Sequence, residues 1–78
     1  MAGIQWQPVV SSAIREVGLE PSDSSADPTY LYVRFADGAT YVYCIPNVDY
    51  YDDFLKAGSK GRYYTYVIKA RFDYVRKY

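Results

Sequence analysis

The clearest alternation of hydrophobic and polar positions lies in the segment YLYVRFADGATYVYC at residues 30–44. Two runs rich in β-branched and aromatic residues flank an Asp-Gly pair, the strongest short-range signal for a β-hairpin. A two-residue loop would place Phe35 opposite Thr40, whereas a three-residue loop with Gly38 in the left-handed conformation places it opposite Ala39. We favour the three-residue loop because it gathers five apolar residues on one face: Leu31, Val33, Phe35, Tyr41 and Tyr43. The other face then carries Tyr30, Tyr32, Arg34, Thr40 and Val42.

Weaker strand signals precede the hairpin. The segment SSAIREVGLEP at residues 11–21 alternates imperfectly, with apolar residues at Ile14, Val17 and Leu19. Gly18 is the expected position of a bulge in this strand. The following SDSSADP, residues 22–28, predicts a mobile surface loop, and residues 1–8 are expected to form an N-terminal arm or strand.

After Cys44 the spacing of apolar residues changes to three or four, which indicates helices. Asn47 is suited to cap a first helix, and Gly58 lies where the cap at its C-terminal end is expected. A second helix begins at Ser59 and has apolar residues at Tyr64, Val67, Ile68 and Phe72. The order β-β-β-α-α predicts one α+β domain over residues 1–78, with two helices on one face of a three-stranded antiparallel sheet.

Composition limits the chemistry of the chain. Eleven of the 78 residues are tyrosine, more than so small a core can hold with every hydroxyl satisfied, so several are expected on a binding surface. Histidine is absent and Cys44 is the single cysteine, so we expect no metal, cofactor or disulfide. Cys44 itself is expected to be buried and unreactive. No membrane span or signal peptide is apparent, so a soluble cytoplasmic protein without a membrane partner is expected.

The net charge of zero conceals a strong asymmetry along the chain. Residues 1–55 hold eight acids and two bases, whereas residues 56–78 hold seven bases and one acid. The split is compatible with a cationic surface for an anionic partner, with complementarity between copies of the chain, or with neutralisation inside one monomer. Together with the surplus of tyrosines, it leads us to expect a homodimer or a higher homo-oligomer.

The segment AGSKGRYYTY at residues 57–66 is the candidate binding motif. Ser59 is expected to cap the second helix, whose free N–H groups point out of the positive helix end. Gly61 leaves the backbone accessible to an anion, and Lys60 and Arg62 add full charges. Phosphate sites at helix starts are built in this way. An ordinary turn between helices with two solvated cations explains the same residues, since no GxxxxGK[ST] motif is present.

Several blocks of the chain resemble, in order, the KTSC domain family. They are residues 10–14 (VSSAI), residues 31–35 (LYVRF) with Gly38, residues 41–43 (YVY), Ile45-Pro46, and residues 57–64 (AGSKGRYY) with Ile68. The resemblance covers residues 9–72. It departs from the family pattern at Tyr64-Thr65, where that pattern usually has Phe-Asn.

The resemblance implies a modest set of properties. The family is named for a C-terminal extension of lysyl-tRNA synthetase, and it also occurs as small free-standing proteins of bacteria and phages. It implies no enzymatic activity, contact with nucleic acid or nucleotide, and a location in the bacterial host cytoplasm if the chain is phage-encoded. Ser11 and Ser12 correspond by position to the family's paired serines, and residues 59–63 to its A-x-S-x-G-x-[YF] block. The full set of candidate ligand-binding residues is Ser11, Ser12, Arg15, Ser59, Lys60, Gly61, Arg62 and Tyr63.

Three classes of function compete. Catalysis is disfavoured because no histidine is present and the adjacent Asp52 and Asp53 diverge on a helix. Cations interleaved with tyrosines favour a non-catalytic protein that binds a phosphorylated ligand. The zero net charge favours sequestration of a small nucleotide over an RNA-, tRNA- or single-strand-binding adjunct. A structural module that self-associates through exposed tyrosines is the remaining alternative.

Overall fold

The computed structural model describes residues 4–20 and 29–78. Five strands are present in this part of the chain: β1 (Gln5–Pro8), β2 (Ile14–Glu20), β3 (Thr29–Phe35), β4 (Thr40–Ile45) and β5 (Tyr74–Lys77). The first helix spans Asp49–Lys56. The second helix, residues 60–71, consists of Lys60–Tyr63 in α geometry, Tyr64–Ile68 in π geometry and Lys69–Arg71 in α geometry.

The strands form one antiparallel sheet in chain order, from β1 at one edge to β5 at the other. The α+β class and the order of the central elements are confirmed, but the expectation of three strands is wrong. The N-terminal arm is a strand that pairs with β2, and the last residues return to the sheet to pair with β4. Both added strands have four residues, too few to give a clear period-two pattern of their own.

The register of the central hairpin is the one that its apolar face predicts. Val33 lies opposite Tyr41, and the Phe35 N–H donates to the Ala39 carbonyl at 2.8 Å. Gly38 closes the three-residue loop with a φ of 95°, a conformation that costs a glycine little. The three-residue loop is therefore confirmed.

Gly18 has a different role from the one expected. The irregularity of β2 lies between Ile14 and Glu16, whereas Gly18 pairs regularly with Trp6 and Tyr32. A Cβ atom at residue 18 would lie 2.7 Å from Ile4 Cγ2 and 3.1 Å from Trp6 Cε3. The glycine thus makes room for the side chains of β1 that cross it, and the predicted bulge at this position is wrong. The SDSSADP segment lies outside the described residues.

The helix termini agree with the sequence at one of three positions. The first helix has Val48 rather than Asn47 at its N-cap position, without a side-chain cap, so the prediction of an Asn47 cap is wrong; the Asn47 side chain accepts the Asp49 N–H at 3.0 Å in the turn just before the helix. Ser59 Oγ accepts the Arg62 N–H at 3.3 Å and caps the second helix, as predicted. The first helix ends at Ala57 in extended geometry, and Gly58 has no positive φ, so the proposed glycine cap is wrong.

Both helices pack on the same face of the sheet and enclose the core there. The predicted apolar face of the hairpin is the face they cover, and Leu31, Val33 and Phe54 are completely buried in this core. Its remaining buried members are Ile14, Val17, Tyr43, Ile45, Tyr64 and Ile68.

The opposite face of the sheet carries no helix from the described residues, but it has its own layer of contacts. The Arg34 guanidinium lies 4.2 Å from the centroid of the Trp6 ring and pairs with Glu16 at 2.7 Å. Val42 is fully buried on this side. Cys44 lies here as well, opposite Tyr30 and only partly buried, so the prediction of a buried cysteine is wrong.

Candidate functional site

An open cleft of about 650 Å³ lies between the second helix and strands β3–β5. Aromatic side chains form its walls: Phe35, Tyr41, Tyr43, Tyr64, Phe72 and Tyr74. Two cations and two carboxylates complete the lining: Lys69, Lys77, Asp37 and Asp73. The volume falls within the range of about 300–1,000 Å³ that is typical of small-molecule sites.

The local structure of β4, β5 and the second helix brings these groups together. Tyr74 lies opposite Tyr43 and Lys77 opposite Tyr41, with a register shift between the two pairs. The shift places Tyr74 and Lys77 on the same, helix-bearing side of the sheet, although they are three residues apart. Across the cleft, Lys69 follows directly after the π-helical turn, where its N–H donates to the carbonyl of Tyr64 in an i→i−5 bond.

The aromatic walls form a connected set of edge-to-face contacts. The Phe35 ring lies 5.0 Å from the Tyr64 ring and 5.7 Å from the Tyr41 ring, measured between centroids. Tyr41 in turn lies 5.1 Å from Tyr74. The planes of each pair are close to perpendicular, which is the favourable arrangement for aromatic quadrupoles. These aromatic side chains therefore support one another.

Two interactions affect the ionisation of groups in the cleft. Lys77 Nζ lies 5.2 Å from the centroid of the Tyr41 ring, and a hydrogen bond to the Tyr41 side chain raises the pKa of Lys77. The hydroxyls of Tyr43 and Tyr64 are 2.5 Å apart and form a buried hydrogen bond. Burial raises the pKa of both phenols, so that they are neutral hydrogen-bonding groups at physiological pH.

We expect the free energy of unfolding to fall when the pH rises above about 10, the ordinary pKa of tyrosine. In that range the unfolded chain releases phenolic protons that the folded chain retains at Tyr43 and Tyr64, so deprotonation favours unfolding. Urea unfolding at about pH 8 and about pH 11 measures the difference. The double variant Tyr43→Phe/Tyr64→Phe should show a smaller difference. Equal stability of the wild type at the two pH values would contradict the burial of these hydroxyls.

Most polar side chains of the predicted helix-start site already form hydrogen bonds within the protein. Ser59 Oγ already accepts the Arg62 N–H, and Lys60 Nζ donates to the Ala57 carbonyl at 2.5 Å. The Tyr63 hydroxyl donates to the Tyr50 carbonyl at 3.0 Å, and its ring packs against Phe54. Arg62 is exposed and Gly61 is partly exposed, and a Cβ at Gly61 would meet no atom within 4 Å.

The N-terminal candidates lie at the same end of the sheet as the hairpin turn. Ser11 Oγ accepts the N–H groups of Ala13 and Ile14, each at 3.2 Å, and so shapes the connection between β1 and β2. Ser12 is exposed. The Arg15 guanidinium donates to the Ala36 carbonyl at 3.2 Å.

A shallow groove joins the two predicted segments. It has a volume of about 240 Å³ and is lined by Val9 and Val10 of the β1–β2 connection together with Leu55 and Lys60. The two segments therefore approach each other at Val10 and Lys60. None of the eight predicted site residues lines the aromatic cleft.

The residues of that cleft were missed because they come from four separate elements. The sequence offers only a weak signal, the strand-favouring Tyr74 and Val75 in DYVRKY at residues 73–78. Lys69 carried no distinguishing local signal.

A comparison with known families matches the profile of the KTSC domain to residues 10–72. The chain belongs to the KTSC domain family. This KTSC domain is 41% identical over 66 residues to a protein of Tsukamurella paurometabola, an alignment that covers 85% of this chain and 91% of the relative. It is also similar to the crystal structure of a KTSC domain protein from Yersinia pestis. The two share 35% identity with a TM-score of 0.78, over 97% of this chain and 99% of the other.

Within residues 4–20 and 29–78, no helix combines the length and the apolar character needed to cross a membrane. The same residues contain no cluster of three or more side chains of the types that bind metals.

Proposed function

We propose that the protein is a non-catalytic binding protein for a small phosphorylated ligand with an aromatic ring, such as a nucleotide, and that the ligand occupies the aromatic cleft. The observation that carries the proposal is the combination, in one cleft of about 650 Å³, of six aromatic side chains with Lys69 and Lys77. Aromatic faces bind nucleobases by stacking, and ammonium groups bind phosphate oxygens. The aromatic side chains therefore suit the base of a nucleotide, and the two lysines suit its phosphate.

The charges of the cleft favour a small ligand over a polyanion. Asp37 and Asp73 lie in the same lining as the two lysines, so the cleft as a whole is neutral. A polynucleotide would be repelled by these carboxylates wherever its phosphates passed them. A single nucleotide places its phosphate at the lysines and leaves the carboxylates to accept hydrogen bonds from ribose hydroxyls or base amino groups.

The tyrosines of the cleft support binding over catalysis. The raised pKa values of Tyr43 and Tyr64 keep their hydroxyls protonated near neutral pH. A general base, by contrast, has to accept and release a proton readily at that pH. Neutral phenols with fixed partners supply shape and hydrogen bonding instead.

Isothermal titration against mono-, di- and cyclic nucleotides tests the proposal. We expect Lys69→Glu and Lys77→Glu each to weaken the binding of the nucleotide by about tenfold, the scale of one charge-assisted hydrogen bond. The matched controls are Lys60→Glu and Arg62→Glu at the helix start, which lie outside the cleft and make the same charge change. These two variants should bind as the wild type does.

Two results would contradict the proposal. If no nucleotide of the panel binds to the wild type at millimolar concentration, the function is wrong. If binding is lost in Lys60→Glu and Arg62→Glu and retained in the two cleft variants, the helix start is the site and the cleft is not. Circular dichroism of all four variants establishes that each is folded.

A further inference from the structure

The outward side of the first helix is acidic. Its inward residues pack on the core: Phe54 is completely buried, and Tyr50, Tyr51 and Leu55 are partly buried against it. Asp49, Asp52 and Asp53 are all exposed on this solvent side. Lys56, at the last turn, is the one base of this helix.

The outward side of the second helix has the opposite charge. Residues 60–71 contain four bases and no acid. Arg62 and Arg71 are exposed, and so is Tyr66, with 71% of its surface accessible. Lys69 is exposed as well but lines the aromatic cleft instead. The two helices adjoin through the contacts of Tyr50 with Tyr63 and Phe72. The helical layer therefore presents an acidic stripe directly beside a basic one.

These charges do not neutralise each other inside the monomer. Among the described residues the ion pairs are Arg34 with Glu16 and Arg76 with Glu20, and both lie on the helix-free face of the sheet. No ion pair within the described ranges joins the first helix to the second. Full charges of both signs are thus available for a partner on the helical surface.

We propose that this helical surface binds a second copy of the chain, with a two-fold axis that places the acidic first helix of each copy on the basic second helix of its partner. A two-fold interface uses the same patch on both copies, so the patch has to be complementary to itself. Adjacent stripes of opposite charge meet this condition, since the rotation brings each stripe onto the other. Tyr66 supplies an exposed aromatic ring at the contact.

The charge pattern favours a second copy over a nucleic acid. A polyanion would be attracted by Arg62 and Arg71 but repelled by the parallel row of aspartates on the neighbouring helix. A copy of the same chain uses both stripes. Because the contacts are exposed ion pairs on two short helices, the dimer is expected to be weak and to dissociate with salt.

Light scattering after size exclusion, at about 100 μM protein, tests the proposal. We expect a dimer at an ionic strength of about 0.05 M and a monomer at about 0.5 M. Two charge-reversed variants sharpen the test: Asp52→Lys/Asp53→Lys, in which both stripes are basic, and Arg62→Glu/Arg71→Glu, in which both are acidic. Each variant alone should be monomeric at the lower ionic strength, because like charges now face each other. An equimolar mixture of the two should restore a dimer.

A monomeric wild type at the lower ionic strength overturns the proposal, and so does a mixture that stays monomeric. Dimers formed by both single variants would also overturn it, since the contact would then lie elsewhere. A fluorescein-labelled single-stranded RNA provides the competing outcome. If the wild type is monomeric and binds it, and Arg62→Glu/Arg71→Glu does not, the basic stripe serves nucleic acid instead. This test is independent of the aromatic cleft, because none of the four altered residues lines it.

Discussion

Replacing Phe54 by alanine is expected to lower the free energy of unfolding by about 3–5 kcal/mol, the cost of removing a buried aromatic side chain. Phe54 is completely buried, and its ring lies 5.1 Å from that of Tyr63. A domain of this size has a total stability of only about 4–12 kcal/mol, so the variant should be close to unfolding at ambient temperature. Urea unfolding followed by circular dichroism measures the loss.

The matched control is Val10→Ala, since Val10 is 99% exposed. Its free energy of unfolding should differ from that of the wild type by no more than about 0.5 kcal/mol. A loss below about 1 kcal/mol for Phe54→Ala would mean that the first helix does not pack on the sheet as described.

The hydrogen bond between Tyr43 and Tyr64 leads to the second large effect. Each single change to phenylalanine leaves one hydroxyl without its partner in a buried setting, which should cost about 1–3 kcal/mol of the free energy of unfolding. Tyr43 is 2% and Tyr64 9% exposed, so water can replace the lost partner only poorly. The double variant removes both hydroxyls and should cost clearly less than the sum of the two single changes.

A double-mutant cycle by urea unfolding measures this coupling. Tyr66→Phe is the control, because the Tyr66 side chain is 71% exposed and should lose little when its hydroxyl is removed. Strictly additive costs for Tyr43 and Tyr64 would show that the two hydroxyls are not bonded to each other in solution.

The parts of this fold that the sequence predicts are those decided by neighbours along the chain. The hairpin register follows from the Asp-Gly turn and from the five apolar residues that only one loop length places together. Ser59 is identified as a helix start because capping needs only a side chain and an N–H three residues later. Both features are complete within a few residues, so a single sequence contains all the information they need.

The parts that escaped prediction depend on residues distant in sequence. Gly18 is required because Trp6 crosses it, and the pairing of β1 with β2 has to be known first. Strand β5 has four exposed residues and is stabilised by its pairing with β4, which no local pattern specifies. The aromatic cleft combines side chains from β3, β4, β5 and the second helix, so it forms only once all four elements have assembled.

The π-helical turn at Tyr64–Ile68 determines the direction in which each later side chain of the second helix points. Each residue of an α-helix advances the direction of its side chain by about 100°, so a turn that holds one extra residue rotates the rest of the helix by about that angle. If Tyr64–Ile68 continued in α geometry instead, Lys69 and Phe72 would be rotated by about that angle from the directions they have in the cleft. The position of the Lys69 ammonium therefore depends on the backbone geometry of this one turn as much as on the residue at position 69.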